Sequence, residues 1–379
     1  MPHVRRLLKG AESVLQRELI RVASVPARLR RASVDLGRPR RILVVRHDWI
    51  GDMILSTGAL RRIKEVHPET DVDVVASPSN AVVLEGLSFV RRVFVHRQGD
   101  TRHLLRLRRE LRAVGYDAAL NGRVLRPKLT PDTALTLLAS GAPRRVGVVG
   151  GGADFLYTDP VVAAPDAHFV RHMAALTEPF GLDPDAGDWR PAVTVHARER
   201  GAAERLWAAV GGEGRKLLVN ISARTGARRW PDERFVEALR RLRAGAPDVR
   251  LLVISPSDEY QRARAIADAV GATAAKPLLR ETFALVDAAD MIFTPDTSIA
   301  HVASVFSTPT VVMFVPGWTG FIPYRTPGRY ICATGPTLDA LPVEPVVAAL
   351  ELVYAAGRGL EPECLPFSAD APRPRAAVR

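Results

Sequence analysis

Three short stretches of the chain bring together residue types capable of proton transfer and anion binding. In RILVVRHDWIGDMILSTGALRRIKE, residues 41–65, two carboxylates, Asp48 and Asp52, bracket Ile50-Gly51 directly after a β-branched run. In FTPDTSIAHVASVF, residues 293–306, an apolar run ends in Asp296, Thr297 and Ser298 before helical spacing begins, with His301 one turn in. In NISARTGARRWPDERF, residues 220–235, Ser222, Arg224, Arg228 and Arg229 precede Trp230-Pro231. A carboxylate at a helix N-terminus is held ionised by the helix dipole and can accept a proton. Backbone N–H groups at a helix start bind anions, commonly a diphosphate, and arginines grip phosphate oxygens through charge-assisted bonds. Asp is also a favoured N-cap, so the pattern at 48–52 leaves capping and catalysis both open, and an isolated histidine such as His301 needs no ligand to explain it.

Other candidates are weaker. His168 and His172 in HFVRHM stand four apart without the glutamate of a metalloprotease helix, so they read as structural. GVVGGGAD at 147–154 lacks dinucleotide-binding spacing and reads as a flexible loop. The two cysteines, Cys332 and Cys364, have no ligand-like spacing, so neither a disulfide framework nor a zinc site is expected.

The elements that must position these groups follow from hydrophobic patterning. RILVV (41–45), DVDVVA (71–76) and RRVFVH (91–96) read as strands, with helical stretches at 53–68 and 80–87 between them. A helix at 104–114 and a strand at 116–122 continue the series. Continuous apolar strands separated by helices imply a parallel sheet covered on both faces. The Asp, Gly and Pro cluster at 183–192 marks a linker. A second series follows, with strands at 215–222 and 249–255, helices at 235–245 and 260–271, a helix and strand within 283–296, a strand at 308–317 and a helix at 343–357. The expected division is a basic, helical extension at 1–40, a first Rossmann-like domain at 41–188, a second at 189–357, and a partly disordered tail at 358–379. In open parallel sheets, ligands bind outside the carboxyl ends of the strands. All three stretches lie there.

With 379 residues, 47% hydrophobic and 25% charged, the chain has enough apolar surface for two cores. No apolar run reaches the roughly 18 residues of a membrane span, and the start MPHVRRLLKG lacks a signal-peptide core, so a cytoplasmic location is expected. The net charge of +12 is local: residues 1–40 hold ten basic residues against three acidic, and residues 91–128 hold eleven against three. Such patches attract phosphates, acidic glycans, anionic headgroups or nucleic acid. The amphipathic pattern at 1–40 suits a membrane surface or the protein's own flank.

Three motifs in order resemble the lipopolysaccharide heptosyltransferases of glycosyltransferase family 9: RILVVRHDWIGDMILSTGALRRIKEVHP, ARRWPDERFVEALRRL and FALVDAADMIFTPDTSIAHVASVFSTPTVVMF, a likeness over roughly residues 41–356. The resemblance implies an α/β fold of the GT-B kind, two Rossmann-like domains facing across a cleft, with the acceptor on the first and the nucleotide-sugar donor on the second. It implies inverting, metal-independent transfer of a sugar, heptose from ADP-heptose, to a lipopolysaccharide-core or related acidic glycan or glycolipid acceptor, without a cofactor. The family's proposed base falls on Asp52. The phosphate-contacting residue before the Trp-Pro pair falls on Arg228, where Lys is usual, and the Asp-Thr-Gly turn with its histidine falls on Asp296, Thr297, Ser298 and His301, with Ser in place of Gly. The acidic ribose contact falls on Asp258 or Glu259 in SPSDEY. Ser222 and Arg224 complete the donor set, and Asp48 and Arg123 form the acceptor set.

On this reading the basic region 91–128 holds an acidic sugar or phosphorylated lipid, and 1–40 docks on the inner face of an anionic membrane. A nucleotide-sugar epimerase of GT-B-like fold is the alternative enzyme. A nucleic-acid-binding protein is a third reading, opposed by an aromatic content of 6% and the absence of interleaved stacking residues.

Overall fold

Four consecutive apolar residues after Arg41 leave a strand with no face for water, so it must lie inside a sheet covered on both sides. The computed structural model describes residues 18, 20–22, 34–97, 99–124, 130–150, 154–164, 166–317 and 319–366, and Ile42 to Val45 are at most 1% exposed. The chain divides into two compact units, through Ala192 and from Val193.

Unit 1 runs β1 (Arg41–Val45), α1 (Ile50–Val66), β2 (Asp71–Ala76), β3 (Arg92–Val95), α2 (Thr101–Val114), β4 (Ala118–Asn121), α3 (Pro131–Ser140), β5 (Arg144–Val148), β6 (Asp159–Val161) and α4 (Phe169–Ala175). Its six strands lie in the order β3-β2-β1-β4-β5-β6, all parallel. Unit 2 runs α5 (Ala197–Val210), β7 (Lys216–Asn220), α6 (Asp232–Gly245), β8 (Arg250–Ile254), α7 (Tyr260–Val270), β9 (Thr273–Ala275), α8 (Leu279–Ala288), β10 (Met291–Pro295), α9 (Ser298–Phe306), β11 (Thr310–Phe314), β12 (Gly328–Cys332), α10 (Val343–Ala356) and β13 (Glu363–Pro366). Its seven strands, also parallel, lie in the order β13-β12-β11-β10-β7-β8-β9. In each sheet the first strand sits between the second and the fourth, the Rossmann order. The switch points are therefore β1/β4 and β7/β10.

The expected α/β class with two Rossmann-like units is the observed one. Several details differ. Residues 80–87, read as helical, form a single 3₁₀ turn at Ala81–Leu84, because the Asn80 side chain ties back to the Ser77 N–H at 2.8 Å and Gly86 turns into the left-handed region at φ 78°. Gly147 is not a loop glycine: it lies in β5, and a Cβ there would fall 2.1 Å from the Tyr157 ring. The division between the units falls after Ala192, at the end of the linker expected at 183–192, and the preceding residues pack on unit 1. Trp189 is wholly buried with the Arg62 guanidinium 5.7 Å from its ring centre, and the Ala192 N–H donates to Thr57 Oγ1 at 2.7 Å.

At the C-terminus, the stretch expected to be partly disordered includes β13, which extends the sheet beside β12, while 367–379 lie outside the described residues. Of the basic extension, only residues 18, 20–22 and 34–40 are described. Ile20 is 6% exposed and packs into the unit 1 core with Leu43, Phe94, Leu107 and Leu111, so this part lies on the protein's own flank.

Gly58 on α1 lies under that boundary segment, where an added Cβ would fall 2.2 Å from the Trp189 carbonyl oxygen. Overpacking against backbone outweighs the roughly 1 kcal/mol that alanine gains in a helix. Gly58→Ala is expected to lower the first thermal unfolding transition by about 3 °C or more. Gly226→Ala, with nothing within 4 Å of its Cβ, leaves it in place, as calorimetry would show.

Candidate functional site

Unit 1 gathers its charged groups at the β1/β4 switch point. Beyond the last residue of β1 the chain places Arg46 inside the protein, 2% exposed. A buried cation requires partners. Its Nε lies 3.0 Å from Asp48 Oδ1 and its Nη2 3.2 Å from Asp52 Oδ1. Its Nη1 donates to the Gly122 carbonyl at the end of β4, and the Phe169 ring of α4 lies 4.9 Å from its central carbon. Nε and Asp48 Oδ1 make no aligned hydrogen bond among the described residues. Charge holds that contact, and Gly122 sets the direction of the fork.

Neither acid occupies the N-cap of α1. The N-cap of α1 is Trp49, in extended conformation and without a side-chain cap bond. Asp52 sits in the first turn as expected, where the dipole favours its charge. Asp48, expected at the acceptor, is engaged by Arg46. Arg123 is half-buried at the β4 end, and its N–H donates to Asn121 Oδ1 at 3.0 Å.

Beside the acids stands a histidine group that sequence reasoning missed. His47 and His96 meet edge to face at 5.6 Å, and His96 stacks on His103 at 5.7 Å. His96 Nε2 lies 3.6 Å from Asp132 Oδ1. Desolvation, and then the neighbouring His96, bring the His47 pKa down to about 4, and desolvation lowers that of His96 as well. Both rings are therefore neutral near neutral pH.

Unit 2 builds its set at β7/β10. Asn220, the last residue of β7, donates to Thr294 Oγ1 at 2.9 Å and Thr297 Oγ1 at 3.3 Å, and it accepts from the Ser222 hydroxyl at 2.7 Å. Thr297 is the N-cap of α9 and Ser298 its first residue, so the helix start opens at the carboxyl edge of the sheet. Asp296, 4% exposed, meets Arg228 Nη1 at 3.0 Å. His301 is buried on α9. The loop bearing Arg228 is anchored by Trp230, whose Nε1 donates to the Leu341 carbonyl at 2.9 Å and whose ring packs on Phe235 and Phe293.

Of the alternatives Asp258 and Glu259, Glu259 joins this loop, with its Oε2 3.1 Å from Arg229 and 2.9 Å from Arg262 Nη1. Asp258 is exposed, and so is Arg224. Arg262, also missed, ties the set together by donating to the Ile221 and Trp230 carbonyls at 2.9 and 3.0 Å. Among the described residues no group of three or more His, Cys, Asp or Glu is placed to hold a metal ion, and no helix is long and apolar enough to cross a membrane.

A pair of Rossmann-like units, each with a polar set at its switch point, is the architecture of GT-B glycosyltransferases. The chain belongs to glycosyltransferase family 9 (heptosyltransferase), whose family model matches residues 104–334. That span includes Arg123 and the whole unit 2 set but not Asp48 or Asp52. Among solved structures, a family 9 glycosyl transferase from Veillonella parvula DSM 2008 is similar with a TM-score of 0.73 at 17% identity, covering 86% of this chain and 100% of its own. The E. coli ADP-heptose lps heptosyltransferase II matches with a TM-score of 0.65 at 20% identity over 83% of this chain and 98% of its own. The E. coli heptosyltransferase WaaC with ADP gives 0.67 at 19% identity over 84% and 100%. No curated protein sequence matches.

The neutral His47 gives stability a definite pH dependence. Unfolded imidazole takes up a proton near 6.5 and the folded one near 4, so below pH 6.5 the unfolded state binds more protons and stability falls with pH. His47→Gln is expected to remove on the order of 3 kcal/mol of that loss between pH 6.5 and 4. Urea unfolding of both proteins across that range measures the difference.

Proposed function

We propose that the protein is an inverting transferase that moves heptose from ADP-heptose to a lipopolysaccharide-core or related acidic glycan acceptor. The observation that carries this reading is the pairing of Arg228 with Asp296 at the start of α9, beside Ser222 and Thr297. Cationic and N–H donors converge there at the edge of a Rossmann-like sheet, as a nucleoside diphosphate requires. The heptosyltransferases similar in fold include one solved with ADP and one with ADP-2-deoxy-2-fluoro heptose.

In the proposed reaction Asp52 takes the proton of an acceptor hydroxyl as its oxygen attacks the anomeric carbon. The bond from that carbon to the diphosphate oxygen breaks, and the attack from the opposite face inverts the centre. Arg228, the N–H groups opening α9 and His301 meet the charge of the leaving diphosphate. With those groups supplying positive charge, the reading requires no metal. Glu259 is the proposed ribose contact, and Arg123 a contact for an anionic acceptor group.

The acceptor side also carries a membrane-facing proposal, on α2. Arg102, Arg106, Arg108, Arg109 and Arg112 are all exposed on that helix, together with Leu105 at 61%. Its one acidic residue, Glu110, pairs with Arg92 at 3.6 Å. Anionic headgroups complement such a surface.

Three measurements test these readings. Asp52→Asn is expected to cut turnover of ADP-heptose with heptose-free lipopolysaccharide by about 10²–10⁴-fold while leaving ADP affinity unchanged. ADP is expected to raise the thermal transition more than GDP or UDP at equal concentration, and Arg228→Ala to weaken ADP binding by about tenfold or more. Charge reversal at Arg106 and Arg109 is expected to lower partitioning onto phosphatidylserine-containing vesicles by about tenfold or more. Unchanged partitioning refutes α2 as the docking face.

A further inference from the structure

Arg46 is one fixed cation shared by two carboxylates, and the sharing matters when a proton arrives. With both acids ionised, the cluster of Arg46, Asp48 and Asp52 carries one net negative charge; with a proton on Asp52 it is neutral. Without Asp48 the same event would leave a guanidinium only 1% exposed with no counter-charge, and uncompensated buried charge is strongly unfavourable. Gly122 and Phe169 hold the fork in place, so Arg46 cannot swing to water to relieve it. We propose that Asp48 is a positioning residue that acts through Arg46, keeping the buried guanidinium compensated so that Asp52 can take the acceptor's proton. This rests on the reading of Asp52 as the base. It explains why the turn holds two acids when proton transfer needs one.

Other titratable and charged groups lie around these three residues. His47, next in sequence to Arg46, is neutral near neutral pH. Arg123 approaches from the β4 end and acts on His47. From α4, packed on α1, Arg171 is committed to Asp185 at 2.6 Å, His172 is buried with its pKa lowered by desolvation, and His168 Nδ1 accepts from the Val170 N–H at 3.1 Å.

The direction of the effect is specific. Removing the Asp48 charge leaves Arg46 acting on Asp52 alone, so the Asp52 carboxylate holds its charge to lower pH and is a weaker base. Full-length protein carrying aspartate carbon-labelled at the side-chain carboxyl, with Asp52→Asn identifying the resonance, gives this titration by NMR without any substrate. In Asp48→Asn the Asp52 carboxyl is expected to titrate about one pH unit lower than in the parent protein, with Asp48→Glu returning it. If Asp48→Asn does not fold, Asp48→Ser serves, with the same shift expected. In the transfer assay Asp48→Asn is expected to lower kcat about tenfold with the donor KM unchanged. An Asp52 titration that is unmoved or raised in the folded variant overturns the charge sharing. Full turnover by Asp52→Asn overturns the base reading separately, and with it the purpose assigned to Asp48.

Discussion

A guanidinium taken out of water must find its whole complement of charge and hydrogen bonds inside the protein, and Arg46 imposes that requirement on unit 1. Its partners come from the turn after β1, the first turn of α1, the end of β4 and the start of α4. Three stretches remote in sequence, 46–52, 122 and 169, are thus drawn to one point. Because Arg46 is fixed, Asp48 and Asp52 are fixed as well, each by one oxygen. Preorganised carboxylates of this kind avoid the cost of arranging charge at the moment of reaction.

Unit 2 solves a similar problem with different parts. Its β7 ends in a neutral amide, Asn220, which organises Thr294, Thr297 and Ser222 through directional hydrogen bonds. Its cations are already neutralised, Arg228 by Asp296 and Arg229 by Glu259. On the proposed reading, an incoming diphosphate exchanges partners with acids that hold the arginines in position. The buried Trp230, wedged between Phe235 and Phe293, makes the loop between them a rigid support.

Much of this architecture was legible in the sequence because parallel strands buried on both faces are dominated by apolar, β-branched residues. RILVV, DVDVVA, KLLVN and RLLVI announce themselves by composition. Strands of three or four residues at or near the sheet edges, such as β6, β9 and β13, carry too little pattern. Helix α5 escaped because its buried face includes Ala202, Ala203 and Trp207, which give weak periodicity. The crevice residues were legible as types at strand ends, but their partners were not. Arg46 and Arg262 were not singled out, since their surroundings converge only through long-range folding. The one available signal was position: a basic residue where a buried strand runs out into its crevice.

Gly147 links the far side of unit 1 to the same crevice. Because it has no side chain, the Tyr157 ring can lie flat over β5 and bring its hydroxyl 2.7 Å from the amide nitrogen of Asn121. With its nitrogen so held, Asn121 turns its oxygen to the Arg123 amide. A missing methyl group two strands from β1 thus governs how the chain leaves β4.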